Sequence, residues 1–285
     1  ASNNTAVGLN AMISNTTGAD NTAVGNSALL NNTTGYNNVA VGSYVLSTNT
    51  TGYFNSAVGL GAMEYNTTGT TNTANGYEAL RSNTTGSGNT ALGYQAGYSI
   101  TGVTTGSANV LLGAYCHSST VNAAYANGIG YNINAAAGYT TIGESTNDIR
   151  AAHGSTTWST VSDERYKKDI TTSTAGLSFV NELRPVTWNY KTLGELPETF
   201  SAYEADSTKV FKNTQTNHGF IAQEVKAVID NHSEIKDGFR LWDDREDGSQ
   251  EVAEAALIPV LVKAIQELST QNAALAARLT TLEEG

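Results

Sequence analysis

Hydrophobic residues recur at regular intervals over the first half of the chain. Each repeat begins with a short, largely apolar triplet such as Thr22-Ala23-Val24. Glycine, an Ala-Leu pair and then Asn-Thr-Thr-Gly follow it. The glycine after the triplet marks a period of 17 residues at Gly8, Gly25, Gly42, Gly59, Gly76 and Gly93. Such a period indicates a repeat architecture in which each unit forms one coil. The triplet is a predicted strand because it is short and partly β-branched. Asn-Thr-Thr-Gly is a predicted turn because Asn and Gly accept left-handed backbone.

One repeat carries too little apolar mass to bury a face by itself. Stacked copies would share one continuous core, which is the logic of a solenoid. Because Ala and Val occupy the inner positions, we predict a thin core that is easier to stabilise when several chains pack together. The predicted fold class of this half is therefore a mainly β repeat stalk, a stacked β-solenoid or prism. We favour a trimer, with the chains intertwined or side by side, over a lone chain.

A different hydrophobic period closes the chain. Apolar residues step alternately by three and four positions, which predicts a coiled-coil helix. The predicted core positions are Ile258, Leu261, Ile265, Leu268, Asn272, Leu275, Leu279 and Leu282. A single core asparagine usually sets register and oligomer state at some cost in stability. The pattern leaves two and three strands open. An amphipathic membrane helix would need a basic face that this segment lacks.

Charge divides the chain as sharply as the hydrophobic pattern does. No lysine occurs before residue 151, and the charged residues of that half are Asp20, Glu64, Glu78, Arg81, Glu144, Asp148 and Arg150. A composition shift of this kind marks a domain boundary. We predict a β-repeat stalk at 1–150, an α/β domain at 151–256 and the coiled-coil helix at 257–285.

Bulk composition argues against several classes of function. The 285 residues carry a net charge of −11, whereas nucleic-acid binding requires clustered Lys and Arg. Cys116 is the single cysteine, so we predict a small buried apolar side chain and no disulfide within the chain. No apolar run approaches the roughly 20 residues of a membrane helix. His153, His218 and His232 have no matched ligands nearby, so we predict no metal and no cofactor. The chain opens inside its own repeat and without Met, which indicates a C-terminal piece of a longer protein.

The junction between the halves carries one candidate for nucleophilic chemistry, Ser162 with Lys167 following it. A serine hydroxyl needs a base to take its proton, and a lysine can be that base when burial lowers its pKa. The spacing lets the two side chains meet across a turn. It also fits a helix start, with Ser162 as the N-cap and Asp163 and Glu164 in the first turn. The residues alone leave both interpretations open.

The sequence around this junction resembles the start of the intramolecular chaperone domain found at the C-terminus of phage endosialidases, tailspikes and tail fibres. Trp158 and the segments 161–165 and 167–170 carry that resemblance. Three further segments follow in the family's order: Leu-Arg-Pro-Val-Thr-Trp at 183–188, His-Gly-Phe-Ile-Ala-Gln-Glu-Val at 218–225, and 257–268. The chain departs from the family after residue 225, where 230–232 replaces an expected proline, and at 191–216, which reads as an insertion. The repeats at about 3–145 resemble the head repeats of trimeric adhesins and of phage tail fibres.

The resemblance implies a trimer that helps the β-rich fibre ahead of it to assemble and then releases itself by self-cleavage. It implies that Ser162 is the nucleophile and Lys167 the assisting base. On chemistry alone, Lys168 is an obvious competitor. Attack by a serine on its own preceding carbonyl closes a five-membered ring, whereas attack on its following carbonyl would close a strained four-membered ring. For attack within one chain, the predicted scissile bond therefore joins Val161 to Ser162.

We therefore expect the C-terminal part of a homotrimeric phage-type tail fibre or spike in the virion, with a single-turnover serine autoprotease. The alternative is a trimeric adhesin on a bacterial surface whose C-terminal domain trimerises without cutting. A host-surface glycan or receptor is a further expected partner, because tyrosines recur at 36, 53, 77, 94 and 98 and their rings are amphipathic. Spacers between coils are the simpler interpretation of these rings. A glycan-degrading fibre would need a carboxylate pair, for which Glu64 and Glu78 are the candidates.

Overall fold

The computed structural model describes residues 1–98, 105–160, 162–232, 235, 239, 241–244 and 249–284. The chain divides into two compact units, Ala1–Tyr166 and Lys167–Gly285. Each unit has a hydrophobic core of its own. The finer division predicted at residues 150 and 256 stays a prediction.

The first unit is a β-solenoid of about eight turns with a spacing of about 17 residues, which confirms the predicted fold class. Its strands are β1 (Thr5–Val7), β2 (Thr22–Val24), β3 (Val39–Val41), β4 (Ser56–Val58), β5 (Thr73–Asn75), β6 (Thr90–Leu92), β7 (Val110–Leu112), β8 (His117–Ser118), β9 (Asn127–Tyr131), β10 (Asn134–Ala135), β11 (Tyr139–Glu144) and β12 (Asn147–Ala152). Ten of them form one sheet in the order β1-β2-β3-β4-β5-β6-β7-β9-β11-β12. The other two, β8 and β10, pair parallel to each other.

The strands stack in register because each repeat places the same residue type at the same level. Each strand from β1 to β7 is parallel to the next, and Ala23, Ala40 and Ala57 are successive partners. The last strand breaks the pattern, since β12 runs antiparallel to β11 with Ile149 opposite Ile142. Solenoids protect their ends with atypical terminal units, and β12 has this role at the C-terminal edge of the sheet.

The core of the solenoid is thin, as the sequence predicts. The middle alanine of the strands, such as Ala40 or Ala57, is fully buried. Larger apolar side chains such as Leu29 and Leu46 fill the remaining space. Both leucines have left-handed backbone, with φ of 49° and 50°. Residues other than glycine rarely adopt this conformation, so the closed coil imposes it, and no hydrophobic pattern could have indicated it.

Two ladders of buried asparagine join neighbouring coils. In the ladder that precedes the strands, the backbone N–H and the Nδ2 of Asn55 both donate to Oδ1 of Asn38, at 3.0 and 3.2 Å. In the ladder that passes through Asn-Thr-Thr-Gly, Nδ2 of Asn66 donates to Oδ1 of Asn49 at 2.8 Å. The carbonyl of Gly69 accepts from both ladders, from Asn55 at 2.9 Å and from Asn66 at 3.1 Å. The buried amides thus satisfy one another from coil to coil, which removes the cost of burying them.

The glycines of Asn-Thr-Thr-Gly allow close approach of the coils. A Cβ on Gly52 would lie 2.5 Å from the carbonyl oxygen of Gly69 and 2.4 Å from Oδ1 of Asn49. The φ of this glycine lies outside the left-handed range, so close approach is the reason that glycine is needed here. The glycine after the strand does have a positive φ, as at Gly25 with +137°, and a Cβ there would lie 2.3 Å from the oxygen of Gly42. Both glycines therefore set the spacing between coils.

Stacking of the coils takes place within a single chain. The parallel strands of the large sheet pair with strands of the same chain, from β1 through to β11. One chain therefore already forms a continuous solenoid. The predicted trimer stays a prediction.

The second unit is a small α/β fold with two antiparallel strand pairs, β13 with β14 and β15 with β16. Its elements are α1 (Leu177–Glu182), β13 (Val186–Trp188), β14 (Asn217–Gly219), α2 (Ala222–Asn231), β15 (Trp242–Asp244), β16 (Gln250–Val252) and α3 (Ile258–Glu283). The core gathers Phe179 of α1, Val225 and Ile229 of α2, Leu241 and the start of α3. The 26-residue helix α3 confirms the predicted C-terminal helix. It follows a 3-10 turn at Glu254–Leu257.

Replacing Asn55 by Ala should destabilise the solenoid by about 2–4 kcal/mol. The backbone N–H and Nδ2 of Asn72, which donate to Oδ1 of Asn55 at 3.1 Å each, would lose this acceptor inside the core. Urea unfolding followed by far-UV circular dichroism measures the loss. Asn75→Ala, at an exposed strand position, is the matched control and should change stability by less than about 0.5 kcal/mol. Equal losses in the two variants would show that the ladder does not hold the coils.

Candidate functional site

Ser162 lies in an exposed stretch that follows the last strand of the solenoid. After β12 the chain returns to it once, through backbone hydrogen bonds of 2.8 Å between Arg150 and Ser159. A single turn of 3-10 helix follows at Glu164–Tyr166. The carboxylate of Asp163 accepts the backbone N–H of Arg165 at 2.9 Å and its guanidinium at 2.9 and 2.7 Å. The helix start that the local pattern predicts is thus one short turn capped by Asp163.

The two members of the predicted dyad belong to different units. Ser162 lies in the first unit and Lys167 in the second. Both side chains are exposed in the single chain, and so is the competing base, Lys168. Val161, on the other side of the predicted scissile bond, lies outside the described residues. The pairing of Ser162 with Lys167 therefore stays a prediction.

Two of the family-like segments meet in the second unit. The segment 183–188 supplies β13 and the segment 218–225 supplies most of β14 and the start of α2. Arg184 forms a two-point ion pair with Glu224, in which Nε donates to Oε2 at 3.0 Å and Nη2 donates to Oε1. The hydrogen bonds from Arg184 lower the pKa of Glu224. Sequence reasoning identified both segments but not this ion pair, because nothing in the sequence links positions so far apart.

An apolar cleft of about 310 Å³ lies beside this ion pair. Its walls include Leu183, Phe220 and Val228 together with Arg184 and Glu224. The described residues that line it include no serine, cysteine or lysine.

Helix α3 holds the start of α1. The backbone N–H of Leu177 donates to Oε2 of Glu267 at 2.8 Å, across 90 positions of sequence. This bond satisfies one of the first-turn N–H groups that a helix cannot satisfy itself. Lys263 lies 3.4 Å from Oε1 of the same carboxylate. The hydrogen bond from Leu177, aided by Lys263, lowers the pKa of Glu267. Sequence analysis missed Glu267 because the pattern of α3 gives no sign of which segment lies against it.

The predicted coiled-coil residues lie exposed along α3 in the single chain. The exposed fractions of the apolar ones run from 41% at Leu261 to 77% at Leu282, and Asn272 is exposed as well. The buried face of α3 uses other positions, Val260 and Ala264. A long row of exposed large apolar side chains is typical of an interaction surface. The number of chains that would cover it stays a prediction.

The recurring tyrosines stack from one coil to the next. The rings of Tyr36 and Tyr53 are 4.8 Å apart and nearly parallel, and those of Tyr77 and Tyr94 are 5.0 Å apart. Stacked rings turn their faces to each other and leave mainly their edges to solvent. This geometry favours spacers between coils over a flat platform for a sugar ring.

The carboxylate pair of the solenoid is bridged by an arginine. Nε of Arg81 donates to Glu64 at 2.7 Å and its Nη1 donates to Glu78 at 2.6 Å. Gln95 donates to the second oxygen of Glu78, also at 2.6 Å. The cluster spans three coils and includes Tyr65, whose ring lies 5.2 Å from the guanidinium carbon. An arginine held between the two carboxylates supports a structural ion-pair network rather than acid–base catalysis on a glycan.

Cys116 is buried, as the sequence predicts, and this burial raises the pKa of its thiol to about 11. Nε2 of His232 lies 3.1 Å from Oε1 of Glu182, to which its N–H can donate. Within the described ranges, no cluster of His, Cys, Asp and Glu has an arrangement that could hold a metal ion. No helix among those same residues combines the length and the apolar content that crossing a bilayer requires.

Residues 162–234 match the family model described as chaperone of endosialidase. The match confirms the predicted intramolecular chaperone domain and covers about a quarter of the chain. It begins at Ser162 itself, so the solenoid lies outside it. No curated protein and no solved structure matches the chain.

Replacing Glu267 by Gln should lower the stability of the second unit at neutral pH and weaken its dependence on acid. Because the folded pKa lies below the ordinary value of 4.5, the carboxylate contributes stability above 4.5 that is lost as the pH falls through the lowered value. Thermal unfolding followed by circular dichroism at falling pH measures this contribution. Glu284→Gln, at the exposed end of the same helix, is the control. Identical acid dependence in wild type and Glu267→Gln would contradict the capping role.

Proposed function

We propose, from the premise that residues 162–234 form a chaperone-of-endosialidase domain, that this chain folds as a trimer with the help of that domain and then cuts the domain away. A β-solenoid followed by such a domain is the organisation of a tail-fibre-like protein. The proposal adds three chains, autoproteolysis at Ser162 and a place in the virion to this organisation. The protein would be the C-terminal part of a tail fibre or spike.

The observation that carries the proposal is the position of Ser162. A cut that separates a helper from its fibre must fall at the junction between them. The match to the chaperone family begins at Ser162, and the capped turn beside it comes directly before the second unit. Ser162 therefore lies at the junction where a cut would separate the chaperone domain from the solenoid.

The exposed face of α3 supports association of the chains. Its large apolar seam residues, from Ile258 to Leu282, remain 41–77% exposed in the described part of one chain. Their heptad spacing is that of a coiled-coil seam. Covering this face with two further copies would give the homotrimer that we propose as the chaperone's working state.

The chemistry of the cut uses groups of this chain alone. The neutral amine of Lys167 accepts the proton of Ser162 Oγ, and Oγ attacks the carbonyl carbon of Val161. The C–N bond between Val161 and Ser162 breaks, the nitrogen of Ser162 takes up the proton, and an ester joins Val161 to Oγ. Water then hydrolyses the ester, which leaves a carboxylate on Val161 and a free amino terminus on Ser162. The bond exists once per chain, so each chain turns over once.

The exposure of Lys167 gives a reason for the cut to follow assembly. A lysine in water stays protonated and cannot accept a proton, whereas burial favours its neutral amine. Lys167 is exposed in the single chain. Packing of three chains around this segment would bury the amine and activate it. Loss of the helper would then leave a solenoid that is kinetically stable, because its folding template is gone.

A host-surface glycan or receptor is the partner that we propose for the solenoid. Among the tyrosines of the strands and coils before residue 152, Tyr125 and Tyr131 are the most exposed, by 64% and 51%. Aromatic rings with one solvent-exposed edge are common at recognition surfaces.

The alternative function is a bacterial surface adhesin that trimerises without cutting. It would share the solenoid and the seam, and it differs in that the bond before Ser162 stays intact.

Freshly expressed wild-type chain should give two bands on a denaturing gel, whereas Ser162→Ala should give one full-length band. Lys167→Ala should slow the cut by roughly a hundredfold or more, because the serine loses its base. Sequencing of the smaller product from its amino terminus should begin at Ser162.

The matched control is Lys168→Ala, which removes the neighbouring amine and should leave the rate of cutting nearly unchanged. A cut that depends on Lys168 and not on Lys167 would reassign the base. A wild-type chain that stays full length would support the non-cleaving adhesin, and cutting of Ser162→Ala at the wild-type rate would exclude the dyad.

A further inference from the structure

Three polar side chains meet near the last strands of the solenoid, and the proposed cleavage uses none of them. Nδ2 of Asn127 lies 3.4 Å from Oγ1 of Thr140. Nε2 of His153 lies 3.3 Å from that nitrogen and 3.4 Å from that hydroxyl oxygen. A nucleophile, a base and an amide therefore occupy one small triangle, and the electrophilic Cγ of Asn127 is bonded directly to its Nδ2.

The large sheet holds the hydroxyl and the amide side by side. Asn127 begins β9, Thr140 belongs to β11, and the two residues are direct partners in the parallel register. Both are half-buried, whereas the next residue of β11, Thr141, is buried in the interior. Neighbouring strands lie roughly 4.8 Å apart, a distance that one bond between the two side chains can span.

His153 is positioned by the antiparallel end of the sheet. It directly follows β12, and its backbone N–H donates to the carbonyl of Gly138 at 2.9 Å. When Nε2 carries no proton, it accepts a hydrogen bond from the hydroxyl of Thr140, which is how a base activates a nucleophile. The distances slightly exceed those of ordinary hydrogen bonds, as contacts between reacting groups often do before they react.

We propose that Thr140 attacks the side-chain amide of Asn127 and forms an ester that joins β9 to β11. Oγ1 bonds to Cγ of Asn127 while Nε2 of His153 takes the hydroxyl proton. The Cγ–Nδ2 bond then breaks, the same proton passes to the departing nitrogen, and ammonia leaves. No oxidant, reductant or further reactant is needed. Register pairing lowers the barrier, because the two groups are already brought together and oriented.

The ester fixes the last parallel step of the solenoid. β11 is the strand against which the antiparallel β12 closes the sheet. A covalent link between paired strands removes conformations from the unfolded chain, as a disulfide does. All three residues precede Ser162, so the link stays with the solenoid after a cut at that serine. The inference depends neither on cleavage nor on the number of chains that associate.

The intact mass of the full-length chain tests the ester, with Ser162→Ala in every sample so that one species is measured. After incubation at neutral pH, the parent should be lighter than its sequence predicts by one ammonia. Thr140→Val lacks the hydroxyl and Asn127→Asp lacks the leaving amine, so both should keep their full mass. His153→Gln should form the link about a hundredfold more slowly, because the base is gone.

Thr141→Val is the matched control. Thr141 is the next residue of the same strand, and its Oγ1 is buried with no hydrogen-bond partner in the described part of the chain. The variant removes a hydroxyl without touching the triangle, so it should lose ammonia as fully as the parent does.

A second product must be separated from the ester. Asn127 precedes glycine, and a cyclic imide formed with the backbone nitrogen of Gly128 would also release ammonia. Chymotrypsin cuts after Tyr131 and Tyr139, which separates Asn127 from Thr140 in the imide, whereas the ester keeps the two peptides joined.

Joined peptides in the parent and in Thr141→Val, and separate peptides in Thr140→Val, are the expected result. A parent that keeps its full mass would overturn the ester. So would a loss of ammonia that persists in Thr140→Val, because the imide alone would explain it.

Discussion

Each coil of the solenoid depends on hydrogen bonds to the coils on either side of it. The amide of Asn55 accepts from Asn72 and donates to Asn38 and to Gly69, so its bonds are complete only when its neighbours are in place. Glycines such as Gly52 bring the coils close enough for these bonds. The stability of such a solenoid is a sum of contacts between neighbouring coils, so the first coils to form have few contacts that stabilise them. A chain built this way folds best when something outside the repeat starts it.

The C-terminal unit has the features of such a starter. It has a core of its own around Phe179, Val225 and Leu241, in contrast to the thin alanine core of the repeats. Its last helix exposes a regular apolar seam. A helper that gathers chains through this seam would hold the ends of several solenoids together while their first coils form. Under the proposed function, the helper would contribute nothing more once the coils are closed, so its removal at Ser162 would leave them intact.

The sequence predicts the solenoid, its period and its thin core, because a 17-residue repeat leaves few other ways to bury Ala40 and its equivalents. It does not predict the shared acceptor at Gly69 or the left-handed Leu29, because both arise only when the coil closes. The ion pair of Arg184 with Glu224 and the bond from Leu177 to Glu267 join distant segments that no local pattern connects. Ser162 is predicted from the family resemblance of the segments around it, and the chemistry proposed for it would depend on an assembly of several chains.

The most direct test of an intramolecular chaperone is refolding. Full-length chain with Ser162→Ala and wild-type chain after cutting are each unfolded in guanidinium and diluted, and the return of the assembled solenoid is followed by circular dichroism and sedimentation. The uncut chain should recover its assembled state, and the solenoid parted from residues 162–285 should not. Equal recovery of the two would contradict a chaperone role for the C-terminal unit.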